Sequence, residues 1–215
     1  MNLRAEYSNL DNYLQRLYDK FIEPHRDKFE GPEEYDLDLK SYCTLTHAAF
    51  EEFIENICTY LATEMIDNMN TTRRISWCTL CFFSFQIDKL SLNEKDFDPS
   101  GRTDDVLFQK LRTKANEGYK HFLDEIENNH GINIKYLLHL LPAVGLNLPD
   151  NSLKINSLKK LADSRGEYAH HYTIADVTKI ISLDDAKGYV DDVKIVVEEL
   201  YKKALGMYYF SSGHH

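Results

Sequence analysis

Arg165 and His170 stand five residues apart in the stretch Leu158-Lys-Lys-Leu-Ala-Asp-Ser-Arg165-Gly-Glu-Tyr-Ala-His170-His-Tyr172. An arginine stays charged in proteins. It can hold a phosphate and stabilise the extra negative charge gathered in a transition state. A histidine titrates near neutrality, so it can take the proton from a ribose 2′-hydroxyl or protonate a leaving 5′-oxygen. Together they are what RNA cleavage without a metal needs. The 2′-hydroxyl attacks its own phosphorus and leaves a 2′,3′-cyclic phosphate end. The competing reading places Arg165 in a buried ion pair and His170 at a helix end, where the helix dipole favours its charge. A loose Arg-x(4–6)-His pattern also arises by chance in a chain with this many arginines and histidines, so spacing alone does not decide.

The element that must position the pair reads as an amphipathic helix. Leu158, Leu161, Ala162, Tyr168, Ala169 and Tyr172 fall on one face, with Arg165 near its middle. Five residues of unbroken helix turn the chain by about 140°, so Arg165 and His170 would diverge. They can converge if the helix loosens near Gly166, or if the site is shared between two chains.

The other elements are read from periodicity. Leu3, Tyr7, Leu10, Leu14, Leu17 and Phe21 recur at spacings of four and three, a first helix that Glu23-Pro24 should end. Glu30-Gly-Pro-Glu-Glu34 reads as a loop. A long second helix is expected from Asp38 to about Met69. Glu51, Glu52 and Glu55 should form its solvated face, with His47 a satisfied histidine at the edge of the apolar stripe. Trp77–Phe85 is apolar and short, so a helix and a strand remain equally open. Asn93–Asp105 reads as a loop, Val106–Asn128 as a helix, Asn133–Leu141 as a short helix and Pro142–Asn151 as a connector. Ser182-Leu-Asp-Asp185 opens a last helix through Val190, Val193, Val196, Val197, Leu200 and Leu205. The whole predicts one all-α domain over residues 1–210. Ser211-Ser-Gly-His-His215 resembles the start of an affinity tag.

Composition removes several function classes. The 215 residues carry a formal net charge of −10, which argues against a general nucleic-acid coat protein but not against a nuclease with a local basic cleft. No signal peptide and no membrane span is visible, so a cytoplasmic location is expected. No glycine-rich phosphate loop, His-Glu-x-x-His or Gly-x-Ser-x-Gly occurs. Trp77-Cys-Thr-Leu-Cys81 is similar to a thioredoxin-like active site, but no βαβ pattern surrounds it. Cys43, Cys58, Cys78 and Cys81 are expected as buried thiols, with neither metal nor cofactor.

Ser164-Arg-Gly-Glu-Tyr-Ala-His170, late in an all-helical chain and followed by one last helix, resembles the signature of the HEPN superfamily. The long second helix around Tyr42–Ile57 resembles its RiboL-PSP-HEPN branch. The resemblance implies an all-α HEPN-like helical bundle with additional helices, which dimerises. The motifs of two subunits then meet at the twofold axis and form one composite site. It assigns the catalytic roles to Arg165 and His170, with His171 as the reserve. Tyr172 extends the match to Arg-x4-His-x-Tyr, the form found in HEPN toxins whose antitoxin adenylylates the tyrosine. Gly166 departs from the polar residue common after the arginine.

Three readings follow. The first is a metal-independent endoribonuclease acting on RNA as a homodimer, a toxin or an antiviral-defence effector with an antitoxin or sensor partner. Lys154, Lys159, Lys160, Arg73 and Arg74 are its candidate phosphate contacts. The second is a non-catalytic HEPN-like module that binds a nucleotide or a protein. The third is an adaptor in which Arg165 is an internal ion pair; it requires a carboxylate beside Arg165.

Overall fold

Leu3, Leu10, Leu14, Leu17 and Phe21 form the buried seam of α1 (Leu3–Phe21), as their spacing requires. Asn2 caps it by accepting from the Arg4 and Ala5 N–H groups. The computed structural model describes residues 2–26, 28, 31–86, 103–128, 131–170 and 181–211, and the described residues contain helices and no strand. A short 3-10 turn (Glu23–His25) follows α1, with Pro24 inside it.

The central element is α2 (Pro32–Thr72), 41 residues and therefore about 60 Å long. It starts well before the expected Asp38. Pro32 sits in the first turn, where its missing N–H costs nothing. The Glu34 carboxylate accepts from the Gly31 N–H at 3.2 Å and closes the start of the helix. The stretch expected as a loop is thus partly a helix cap. At the other end Arg73 takes a left-handed conformation (φ 56°) and its N–H bonds to the Met69 carbonyl at 3.2 Å.

Helices α1, α6 (Ser152–His170) and α7 (Leu183–Ser211) pack against α2, as do α3 (Trp77–Gln86) and α4 (Thr103–Glu127). The buried residues of α2 recur at spacings of three and four from Leu39 to Met69, and because neighbours pack on several sides, many of the residues between them are half-buried. The acidic cluster is divided accordingly: Glu52 is exposed, whereas Glu51 and Glu55 are half-buried. The Trp77–Phe85 segment resolves as helix α3, opened by Ser76, whose Oγ accepts from the Thr79 N–H at 3.1 Å. Next comes α5 (Ile134–Ala143), capped by Asn133 and containing Pro142 in its last turn. The expected connector therefore begins two residues later than Pro142.

Helices α6 and α7 pack side by side. Leu158 and Leu161 are fully buried, as are Val193, Val196, Val197 and Leu200. Ser157 donates to Asp192 at 2.6 Å across this pair. The predicted start of α7 is present: Ser182 Oγ accepts from the Asp185 N–H at 3.0 Å and donates to the Asp185 carboxylate at 2.9 Å. Tyr7 of α1 stacks on Tyr201 of α7 with ring centroids 4.5 Å apart, joining the first helix to the last.

Candidate functional site at the end of α6

Helix α6 runs unbroken through Gly166 to His170. The loosening that would have turned Arg165 and His170 to one side within a single chain is absent, so the divergence of about 140° stands. Arg165 is half-buried. The His170 side chain, and residues 171–180 with His171 and Tyr172, lie outside the described residues. Beside Arg165, Gly166 faces open space: nothing lies within 4 Å of where a Cβ would stand.

On α2, His47 lies close enough to Arg165 for the arginine's charge to act on its ring. His47 of α2 is 2% exposed, and its ring is inside the fold and not at the edge of a stripe. Its Nε2 accepts from the Ile132 N–H at 3.4 Å, which leaves the proton on Nδ1. Nδ1 is buried with no hydrogen-bond partner among the described residues, 3.7 Å from a Glu51 carboxylate oxygen. The other Glu51 oxygen accepts from the Gly131 N–H. Gly131 has a φ of +128°, which excludes side chains on conformational grounds and lets the turn come down onto His47 and Glu51.

Burial lowers the His47 pKa to about 4, and the nearby Arg165 charge pushes it the same way. His47 is thus an uncharged ring at neutral pH that seats the turn. Arg165 has no hydrogen bond or ion pair among the described residues. The carboxylate that an internal ion pair requires is not found there. A cation in a half-buried position without a neutralising carboxylate can accept a phosphate. Nearby, Tyr168 is tied by its hydroxyl to the backbone of Ile181, linking α6 to the approach of α7, and burial raises its pKa. The Tyr136 hydroxyl of α5 is buried without a partner among the described residues, and burial and then the Glu55 charge raise its pKa.

The candidate phosphate contacts do not converge. Lys159 is exposed on α6, Lys160 lies over the Tyr189 ring at 4.9 Å, and Lys154 is half-buried near the start of the helix. Arg73 pairs with Asp105 at 2.8 Å and lies over the Phe108 ring at 5.0 Å. Arg73 and Arg74 follow the far end of α2, about 35 Å along the helix from His47. Within one subunit they belong to another region than Arg165.

The cysteines show no sign of reactivity. Cys43, Cys58 and Cys78 are buried free thiols, whereas Cys81, expected to be buried with them, is a half-buried free thiol on α3; burial pushes both Cys43 and Cys78 up to about 12. Among the described residues no group of three or more His, Cys, Asp and Glu side chains is arranged to hold a metal. No helix among them is long and apolar enough to cross a membrane.

Sequence reasoning set His47 and Glu51 at the edge and on the solvated face of α2 and passed over Gly131, whereas the three meet inside the fold. Their one local signal was the four-residue spacing of His47 and Glu51, which puts both on one side of a helix. The family model described as RiboL-PSP-HEPN matches residues 5–205. No curated protein and no solved structure matches the chain.

Proposed function

The chain belongs to the RiboL-PSP-HEPN family, and from that premise we propose that it is a metal-independent endoribonuclease acting as a homodimer. Arg165 and His170 from each of two subunits meet at a twofold axis, which answers their divergence on the continuous helix of one chain. A histidine takes the proton from the ribose 2′-hydroxyl. The 2′-oxygen bonds to phosphorus, the bond to the 5′-oxygen breaks, and that oxygen receives a proton. The arginines hold the phosphate and stabilise the added charge. His171 is the alternative acting histidine. Tyr172 is the residue an antitoxin would nucleotidylate, and a toxin or antiviral-defence role in the cytoplasm suits this chemistry. Lys159 and Lys160, on the same helix, are the phosphate contacts this site can use. One domain over residues 1–210 carries the activity, with 211–215 a tag remnant.

The observation that carries the reading is Arg165, half-buried, beside an uncharged His47 and without a carboxylate partner among the described residues. One observation favours a non-catalytic nucleotide- or protein-binding module instead: the net charge of −10 opposes long RNA. Incubation with RNA in excess EDTA separates the two. The nuclease yields 2′,3′-cyclic phosphate ends that both Arg165→Ala and His170→Ala abolish. A binding module leaves the RNA intact.

A further inference from the structure

The far end of α2 opens into a cavity of about 800 Å³, a size suited to a small organic ligand. It is roughly 35 Å along α2 from His47, so it is not part of the Arg165 site. Its wall is Trp77, the first residue of α3 and 65% exposed. An indole left this open costs hydration without a ligand and offers a flat face for stacking. Trp77 is held by Gly145. This glycine has a φ of +79°, and a Cβ there would stand 3.2 Å from the indole and 2.8 Å from the Met207 methyl. The close seating of both side chains depends on the missing Cβ.

The charge at the mouth is one-sided. Arg74 and Lys203 line the cavity, and among the described residues no carboxylate does, in a chain whose acids outnumber its bases by 35 to 25. The Arg74 side chain is exposed and makes no ion pair among the described residues, in contrast to Arg73 beside it. Lys203 reaches the Asn147 carbonyl at 3.5 Å, which holds its ammonium at the rim. Asn68 and Asn147 add amide groups that can pair with the edge of a base. Thus an aromatic platform, two cations and base-pairing amides border one cavity.

We propose that this cavity binds a nucleotide, its base against Trp77 and its phosphate between Arg74 and Lys203. Stacking on an exposed aromatic side chain with cations along the backbone is how proteins hold single nucleotides and single strands without a sequence code. The same chemistry is presented by a free mononucleotide and by one residue of a single-stranded RNA.

Trp77 is the chain's sole tryptophan, so fluorescence excited on the red edge of the indole band, where the 14 tyrosines do not absorb, reports on this cavity. The full chain is titrated with AMP and, separately, with a five-residue oligodeoxyadenylate, which has no 2′-hydroxyl for the proposed cleavage. Saturable quenching is expected. Arg74→Ala combined with Lys203→Ala should weaken it by about tenfold or more, with the circular dichroism spectrum unchanged because both side chains are exposed. Trp77→Ala, followed by calorimetry, should weaken binding by roughly tenfold, the loss of one stack. Quenching by AMP identifies a mononucleotide site, and quenching by the oligomer alone identifies a strand-binding site; either supports the proposal. Both probes are read at Trp77, far along α2 from Arg165, so a failure of the cleavage reading leaves this test intact. No saturable change with either probe, or equal affinity in the double variant, overturns it.

Discussion

The two ends of α2 handle charge in opposite ways. At the His47 end, polar groups are drawn inside: an uncharged histidine and the half-buried Glu51 meet the turn at Gly131, and the half-buried Arg165 lies within reach of the histidine by its charge. At the Thr72 end, the polar groups stay outside: Arg74 and Lys203 ring an open cavity beside an exposed tryptophan. The first arrangement fixes side chains in place, which chemistry on a phosphate requires. The second leaves a surface that a flat, anionic molecule can fill. The acidic balance of the whole chain describes neither end, because Glu51 near His47 is engaged by the fold and the other cavity has no acid among the described residues of its walls.

The sharpest way to break this comparison is to remove the cation from the buried end. Arg165→Ala should lower RNA cleavage by about a thousandfold, the loss of a group that stabilises transition-state charge. Cleavage rates under single-turnover conditions measure it. Helicity should be retained, because Arg165 makes no ion pair among the described residues.

The next effect tests how far the His47 end is closed to charge. The folded pKa of His47, about 4, lies below its ordinary 6.5. The unfolded chain therefore binds a proton that the folded chain refuses, so the associated stability is complete above pH 6.5 and is lost as pH falls through 4. The loss is on the order of 3 kcal/mol. Urea unfolding midpoints between pH 7 and pH 4 should show it. His47→Gln keeps an acceptor for the Ile132 N–H without a titrating ring and should flatten that dependence.

A smaller effect sharpens the account of the open end. Gly145→Ala forces a positive φ on a side chain and drives a methyl into Met207 and Trp77. It should cost about 1–3 kcal/mol and shift the tryptophan emission. Gly166→Ala should do the reverse at the other end. A Cβ there meets nothing within 4 Å of its own chain and improves helix propensity, so thermal unfolding should show about 0.5–1 kcal/mol of stabilisation.

Local pattern made part of this molecule legible. The α1 seam and the Ser182–Asp185 cap of α7 depend on neighbours in sequence, and both stand where expected. Arg165 was legible from its type and its spacing to His170. What local pattern could not carry was the position of α2 among five other helices. That position half-buries Glu51 and Glu55, which the sequence presents as a solvated face. His47 became an interior residue for the same reason, since its partners arrive from the turn at Gly131 and from α6. Trp77–Phe85 is too short and too uniformly apolar to show its period. The cavity beside it is assembled from α2, α3, the turn after α5 and α7, and no single stretch carries its signature.

The most direct test of the central claim uses an RNA with a single preferred cleavage position and the same RNA carrying a 2′-deoxy sugar there. In excess EDTA, wild type should cut the first to a 2′,3′-cyclic phosphate end and leave the second whole at that position, while Arg165→Ala should cut neither. Cleavage of the deoxy-substituted RNA at the same bond would contradict it, because the attacking oxygen would then not be the one that Arg165 and His170 are proposed to serve.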